Sequence, residues 1–137
     1  MKLLDTTFLI HYWGGYDGVR TYLEAHDDTE FVTTALNIKE IAVGRALQGE
    51  LSPPEIRSTF DWVQLLPLDT DTAFVAGEIE AALHRDEDVN QDKINALAGD
   101  LLIAAAAKQR DATVVTQNTD DFERFDGVTV ESYISPE

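Results

Sequence analysis

The sequence contains no cysteine, and this absence excludes disulfide bonds, thiol catalysis and cysteine-based zinc sites. Its three histidines are dispersed and do not form a zinc-binding pattern. No apolar run approaches the ~20 residues that a membrane-spanning helix needs, and the N-terminus lacks the layout of a secretory signal. We therefore expect a cytoplasmic protein without membrane segments.

Basic residues are also scarce. The chain has 10 Lys and Arg residues against 26 Asp and Glu residues, which gives a formal net charge of −16. The acidic excess is spread along the chain, so the surface repels itself unless salt screens it, and we expect a halophilic protein from a high-salt cytoplasm. Charge alone argues against nucleic-acid binding because there is no basic footprint, but a bound metal ion would remove that objection.

The length of 137 residues and the 44% hydrophobic content fit a single domain over residues 1–137. Strands are predicted in KLLDT, EFVTT, LLPLD, TVVT and VTVESY, and helices in YDGVRTYLEAH, TALNIKEIAVGRALQGE, SPPEIRSTFDWVQLL, TDTAFVAGEIEAALHRD and GDLLIAAAAKQRD. This alternation predicts an α/β fold in which helices cover both faces of a parallel sheet of about five strands. Residues 84–99 have the composition of a polar loop with at most a short helical turn.

The segment KLLDTTFLI, residues 2–10, places an acid inside what otherwise has the pattern of a buried strand. Burying Asp5 without a partner would be costly. Backbone donors at a strand end could satisfy it, or it could have a functional partner. The expected core residues of this segment are Leu3, Leu4, Phe8, Leu9 and Ile10.

Further acids are predicted at the sheet edge that receives Asp5. Ligands of open parallel sheets bind at the carboxyl ends of the strands, and Asp5 follows the first strand. The strand TVVT runs into QNTDDF, which brings Asn118, Asp120 and Asp121 to the same edge. Asp100 opens an Ala-rich helix, whose small side chains let its first turn approach the sheet. We therefore expect Asp100 near Asp5.

Glu40 lies on the helix that starts at the same edge. On the helical wheel it falls beside a predicted buried stripe formed by Leu36, Val43 and Leu47. This position directs Glu40 inward or along the margin of the core.

Each acid also has a simpler explanation. Asp100 could cap its helix, Asp120 and Asp121 could be turn residues, and Glu40 could reach solvent. Their convergence favours another interpretation, because acids from distant segments repel one another unless a cation lies between them. Oxygen ligands suit Mg²⁺ or Mn²⁺, so the sequence predicts a carboxylate metal site that includes Asp5.

The order of motifs along nearly the whole chain resembles the PIN domain family and, within it, VapC-like ribonuclease toxins of type II toxin–antitoxin systems. The resemblance rests on LLDTTFLI, on TALNIKEIAVG and on GDLLIAAAAKQRDATVVTQNTDDFERFDGVTV, the last of which is the most specific. It implies a three-layer α/β/α fold and metal-dependent endoribonuclease activity that leaves 5′-phosphate and 3′-hydroxyl ends.

The resemblance also assigns expected roles to residues. The catalytic, metal-binding acids of the family correspond to Asp5, Glu40 and Asp100. Asp121 matches the fourth acid best, whereas some relatives carry an acid at the Asn118 position and Asp120 is a further candidate. Residues expected to support the acids by hydrogen bonding are Thr6, Thr116 and Asn118. Candidate contacts to the RNA backbone, for each of which a solvated surface position is the simpler explanation, are Lys39, Arg45, Lys93 and Arg110.

The family implies two kinds of protein partner. One is a cognate antitoxin whose C-terminal segment lies in a groove and presents an Arg to the acids, and the other is a second copy of the chain in a homodimer. The apolar residues Ile56, Phe60 and Trp62 or Val63 could form a partner surface or could pack in the core.

Three other functions compete with the nuclease. A receiver-like domain would use Asp69 as its phospho-acceptor, but the paired acids and the late lysine of receivers are missing, and Thr7 replaces the second Asp of a haloacid-dehalogenase-type motif. The third alternative is a non-catalytic PIN-like module that binds or regulates a partner through its acidic site.

Overall fold

A computed structural model describes residues 1–133 and contains one five-stranded sheet. The strands are β1 (Lys2–Leu4), β2 (Phe31–Thr34), β3 (Gln64–Leu66), β4 (Thr113–Val115) and β5 (Val130–Glu131). All neighbouring strands pair in parallel, in the order β3-β2-β1-β4-β5. The predicted five-stranded parallel sheet is confirmed. The predicted domain also includes residues 134–137, which lie outside the described residues.

Helices cover both faces of this sheet. They are α1 (Thr6–Trp13), α2 (Asp17–Ala25), α3 (Ala35–Leu47), α4 (Pro53–Thr59), α5 (Thr70–Arg85), α6 (Gln91–Ala96), α7 (Ala98–Gln109) and α8 (Thr119–Phe122). Side chains alternate across β1, so Leu3 packs in a core with α5 and α7 while Leu4 packs in a second core with α1 and α2. This is the predicted three-layer α/β/α fold. Within residues 1–133, no helix is long and apolar enough to cross a membrane.

The strand predicted in KLLDT is confirmed as β1, but the buried-strand pattern of residues 2–10 does not continue as a strand beyond Leu4. The chain turns at Asp5 and enters α1, whose helical spacing buries Phe8 and Leu9 completely but leaves Ile10 53% exposed. The short apolar stretches on either side of residues 5–7 do not distinguish a strand from a buried helix, because both elements can carry such stretches. The turn places Asp5 at the carboxyl end of a central strand.

Helix α3 begins where predicted, at the Thr34 cap, but buries a different face. Val43 is 47% exposed and Leu47 is 84% exposed, so the predicted stripe is wrong, and the buried positions are Asn37 and Ile41. Hydrophobic spacing failed here because the face against the sheet carries an amide at Asn37, which the pattern counts as polar.

Two other regions differ from the sequence prediction. Helix α4 ends at Thr59, and Ile56, Phe60 and Val63 are at most 8% exposed within the second core, so the proposed partner surface of these residues is wrong. The predicted polar loop contains the six-residue helix α6, which the Asn90 side chain caps. In both segments, the packing of side chains against the core determines the structure, and the polarity of the sequence does not indicate it.

Candidate metal centre

Asp5 is a buried carboxylate held by neutral donors. Its side chain is 3% exposed and accepts hydrogen bonds from Thr116 Oγ1 at 2.8 Å and from Asn37 Nδ2 at 3.2 Å. The Asp5 amide donates to the Val115 carbonyl at 3.0 Å, which fixes the end of β1 against β4. Burial raises the pKa of Asp5, and the hydrogen bonds offset only part of that effect. The site thus orients Asp5 without neutralising its charge.

Asn37 links Asp5 to the start of α3. Its Oδ1 accepts from the Thr34 amide at 3.2 Å and from Thr34 Oγ1 at 2.7 Å. Its Nδ2 donates to Asp5 and, at 3.0 Å, to Thr6 Oγ1. The fully buried amide therefore satisfies its hydrogen-bonding groups while joining three segments. Asn37 was not predicted from the sequence, although its spacing of three residues from Thr34 is typical of a capping box.

Hydroxyl groups connect the loop after β4 to α1. Thr116, which is fully buried, accepts a hydrogen bond from the Asn118 amide at 3.0 Å while it donates to Asp5. Thr7 Oγ1 accepts from the Gln117 amide at 3.1 Å. Thr116 therefore lies beside Asp5 as predicted, whereas Thr7 was not identified as a supporting residue.

Asp100 and Glu40 line the same cavity, which has a volume of about 230 Å³ and whose lining also includes Leu36 and Gly99. Burial raises the pKa of Asp100 to about 6, and the charges of Asp5, Glu40 and Asp121 add to this effect. Partial burial, and after it the charge of Asp5, raise the pKa of Glu40. The rest of the Glu40 side chain is exposed to solvent. The four acids thus share one electrostatic field.

The position of Asp100 excludes the simpler explanation for it. Asp100 is the third residue of α7, the cap position is Leu97, and no side chain caps this helix. The helix-cap alternative is therefore wrong.

Among the candidates for a fourth acid, Asp121 is the one whose charge acts on Asp100. It lies in the short helix α8 and is half-buried, whereas the side chains of Asn118 and Asp120 are exposed. The Lys93 ammonium contacts Asp121 Oδ1 at 3.0 Å. Asp121 is therefore the better candidate for the fourth acid. Its ion-pair partner is Lys93, which was predicted from the sequence to contact RNA.

The donor set suits a divalent ion, but the acids are not assembled around one point. Within residues 1–133, no group of three or more His, Cys, Asp or Glu side chains is close enough to hold a metal ion as placed. The neutral donors hold Asp5, and Lys93 holds Asp121. Carboxylate oxygens are nevertheless the ligands that Mg²⁺ and Mn²⁺ prefer, and these acids raise one another's pKa. Binding an ion requires the acid side chains to rotate toward one another.

The structure brings only some of the predicted basic residues to the acids. Lys39 lines the cavity with Glu40 and Asp100. Arg110 follows the last turn of α7, so about ten residues of helix, roughly 15 Å, separate it from Asp100.

Arg45 lies in a different environment. Its guanidinium group contacts Glu50 at 3.3 Å and Glu55 at 3.1 Å, and it lies 4.6 Å from the centre of a Trp13 ring. These contacts occupy the side chain that was predicted to bind RNA.

Asp69, the residue that a receiver-like domain would phosphorylate, has a local structural role. Its side chain accepts hydrogen bonds from the Thr72 amide and hydroxyl, both at 3.0 Å, and caps α5. The backbone hydrogen bond from Thr72 is the largest of the effects that lower the pKa of Asp69. The receiver-like alternative is not supported by this geometry.

Comparison with known proteins agrees with this fold. The PIN domain family model matches residues 2–128. A chain in the crystal structure of FitAcB from Neisseria gonorrhoeae is 26% identical, with a TM-score of 0.73 over 97% of this chain and 98% of that one. A chain in the structure of VapBC2 from Rickettsia felis bound to a promoter DNA fragment is 19% identical, with a TM-score of 0.76 over 96% and 97% of the two chains.

A chain of VapBC-1 from nontypeable Haemophilus influenzae is 16% identical, with a TM-score of 0.77 over 96% of this chain and 97% of that one. No curated protein is similar enough in sequence to add to these comparisons. The family match spans most of the chain, and the structural matches span almost all of it. The chain therefore belongs to the PIN domain family.

Proposed function

We propose that this protein is a metal-dependent endoribonuclease and the toxin of a toxin–antitoxin pair. The observation that carries the proposal is the shared electrostatic field of Asp5, Glu40, Asp100 and Asp121 at the carboxyl edge of a PIN-type sheet. PIN toxins are generally nucleases, and the structural relatives include VapBC and FitAB complexes. The substrate of the proposed reaction is an RNA phosphodiester bond.

Asp5 and Asp100 would hold Mg²⁺ or Mn²⁺ once their side chains turn toward a common ion, and Asp121, whose charge acts on Asp100, would contribute from the same side. When bound, a divalent ion supplies a Lewis acid and lowers the pKa of water in its coordination shell. Asn37 and Thr116 keep the Asp5 carboxylate in one orientation. Their neutrality matters, because a positively charged partner would compete with a metal ion for Asp5.

Glu40 is the proposed proton acceptor for the attacking water. Burial and the Asp5 charge raise its pKa toward the range in which a carboxylate is a useful general base. Its side chain is exposed and borders the cavity, so it can reach a water molecule next to a substrate. Lys39 on the same cavity is the proposed contact for the RNA backbone.

A groove between α1 and α3 is the proposed antitoxin site. It has a volume of about 370 Å³, its apolar wall includes Ile10 and Trp13, and Glu40 borders it. An apolar segment with a basic residue fits this combination, because the basic side chain could reach the acids from the groove. A homodimer is also proposed by family resemblance. Exposed apolar side chains available for it include Val43, Leu47 and Phe74.

Cleavage of total host RNA tests the proposed activity. The purified chain is incubated with Mn²⁺ or Mg²⁺ at high KCl, alongside Asp5→Asn and an EDTA control. We expect discrete fragments only with metal and with Asp5 present. Equal inactivity of wild type and Asp5→Asn, in protein free of antitoxin, would instead favour the non-catalytic binding module.

A further inference from the structure

Both the backbone amide and the side-chain ammonium group of Lys93 have a fixed partner. It lies on α6, where its amide donates to the capping Asn90 Oδ1 at 2.8 Å and the neighbouring Ile94 is 4% exposed. Its side chain reaches α8, where Nζ lies 3.0 Å from Asp121 Oδ1. A short helix packed against the core thus delivers one ammonium group to a fixed place.

That place lies within the acid cluster. The Lys93 charge lowers the pKa of Asp100, which the charges of Asp5, Glu40 and Asp121 raise. The Lys93 and Asp121 side chains are each 36% exposed, so the ion pair adds little to stability by itself. Its effect on the charge of the cluster is the more important consequence.

The charges in the cluster limit how many divalent ions it can hold. Two divalent ions would balance four ionised carboxylates, but they would leave the Lys93 ammonium as an excess positive charge. One divalent ion together with Lys93 leaves the four acids with one negative charge, which Lys39 on the cavity beside Glu40 offsets. A second ion at Asp121 would also lie close to the ammonium group that contacts Asp121 Oδ1 at 3.0 Å, and the two positive charges would repel each other.

We propose that Lys93 is a built-in counter-cation that occupies the Asp121 side of the cluster, so that the site binds one divalent ion. This inference rests on the proposed metal-dependent function and specifies its metal content. Lys93 is then a positioning residue for the metal centre rather than a contact to RNA.

Titration of Mn²⁺ into metal-stripped full-length protein, followed by calorimetry, tests this role. Lys93→Gln and Lys93→Met remove the charge, and the second keeps the apolar stem if the first variant does not fold. Lys93→Arg keeps the charge. Lys108→Gln is the matched control, because Lys108 is in the last turn of α7, away from Asp100.

We expect one Mn²⁺ per chain for wild type, Lys93→Arg and Lys108→Gln, and two for the neutral Lys93 variants. The melting temperature should also rise more with Mn²⁺ in the neutral variants, because ligand binding to the folded state stabilises it. RNA binding is measured on the same proteins in EDTA. Weaker RNA binding by Lys93→Gln at unchanged Mn²⁺ stoichiometry would overturn the inference in favour of an RNA contact.

The two proposals fail in different ways. If wild type binds no Mn²⁺, the metal-dependent function is wrong and this inference falls with it. If wild type binds two ions, or if Lys93→Gln binds as wild type does, the function stands and the role of Lys93 is wrong.

Discussion

Replacing Asp100 with Asn should stabilise the folded protein while abolishing cleavage. The pKa of Asp100 is raised from 3.8 to about 6 in the folded chain, so its charged form is disfavoured there. A difference of ~2 pKa units corresponds to ~3 kcal/mol. Because Asp100 is partly exposed, solvent screening reduces this value, and we expect Asp100→Asn to gain about 1–2 kcal/mol at pH 8.

The sign of the pH dependence follows from the same shift. The folded state binds a proton at Asp100 at higher pH than the unfolded state does, so wild-type stability falls as pH rises through about 6. Below the unfolded value of 3.8, both states are protonated and Asp100 resembles Asn in charge. The advantage of Asp100→Asn should therefore be full at pH 8 and should disappear near pH 3.5.

Urea and thermal unfolding in EDTA at low salt measure this difference. For a chain of 137 residues, 1–2 kcal/mol corresponds to a rise of about 3–7 °C in melting temperature. Asp120→Asn is the control, because it removes the same charge from an exposed neighbour of the site. An equal gain for Asp120→Asn, or a gain for Asp100→Asn that persists at low pH, would refute the electrostatic argument.

Three other predictions test different parts of the structure. Asn37→Ala should lower the free energy of unfolding by about 2–4 kcal/mol, because it removes the acceptor of the Thr34 amide and hydroxyl in the capping box and a donor to buried Asp5, and urea titration measures this loss. Ala105→Leu should cost about 1–3 kcal/mol in the same assay, because residue 105 is fully buried and has no room for a larger side chain. RNA cleavage should decline less between 0.1 M and 1 M KCl than that of a basic nuclease assayed in parallel, because few basic contacts remain to be screened, and an equally steep decline would contradict this.

The sheet and most helices could be predicted because local signals agree with the tertiary structure. Thr34, Ser52 and Asp69 cap helices where the sequence suggests a helix start. The alanines of α7, which include the fully buried Ala104 and Ala105, allow the helix to lie close to the sheet. In these regions propensity, capping and burial favour the same structure.

The start of α1 could not be predicted in this way. Apolar residues flank Asp5 on both sides in the segment from Leu3 to Ile10, and the chain's change from strand to helix at Asp5 depends on the contact of its amide with Val115 on β4. That contact joins residues more than one hundred positions apart. No local pattern carries such information.

The convergence of acids was predictable from topology, but the contacts that hold them were not. The carboxyl ends of parallel strands meet at one edge, which is why Asp5 and the loop before Asp121 were expected together. The partners that set their properties, Asn37 and Lys93, lie on helices whose placement depends on packing. Asn37 also occupies a position that hydrophobic spacing assigns to solvent.

In this site, one set of side chains orients the acids and a different set compensates their negative charge. Buried, neutral groups on Asn37 and Thr116 orient Asp5 and leave its charge in place. Cationic groups act at the more exposed acids, with Lys93 at Asp121 and Lys39 lowering the pKa of Glu40. An arginine beside Asp5 would have lowered the pKa of that carboxyl, but it would have competed with a divalent ion for the same carboxylate. The retained charge of Asp5 therefore costs stability and makes the proposed metal site possible.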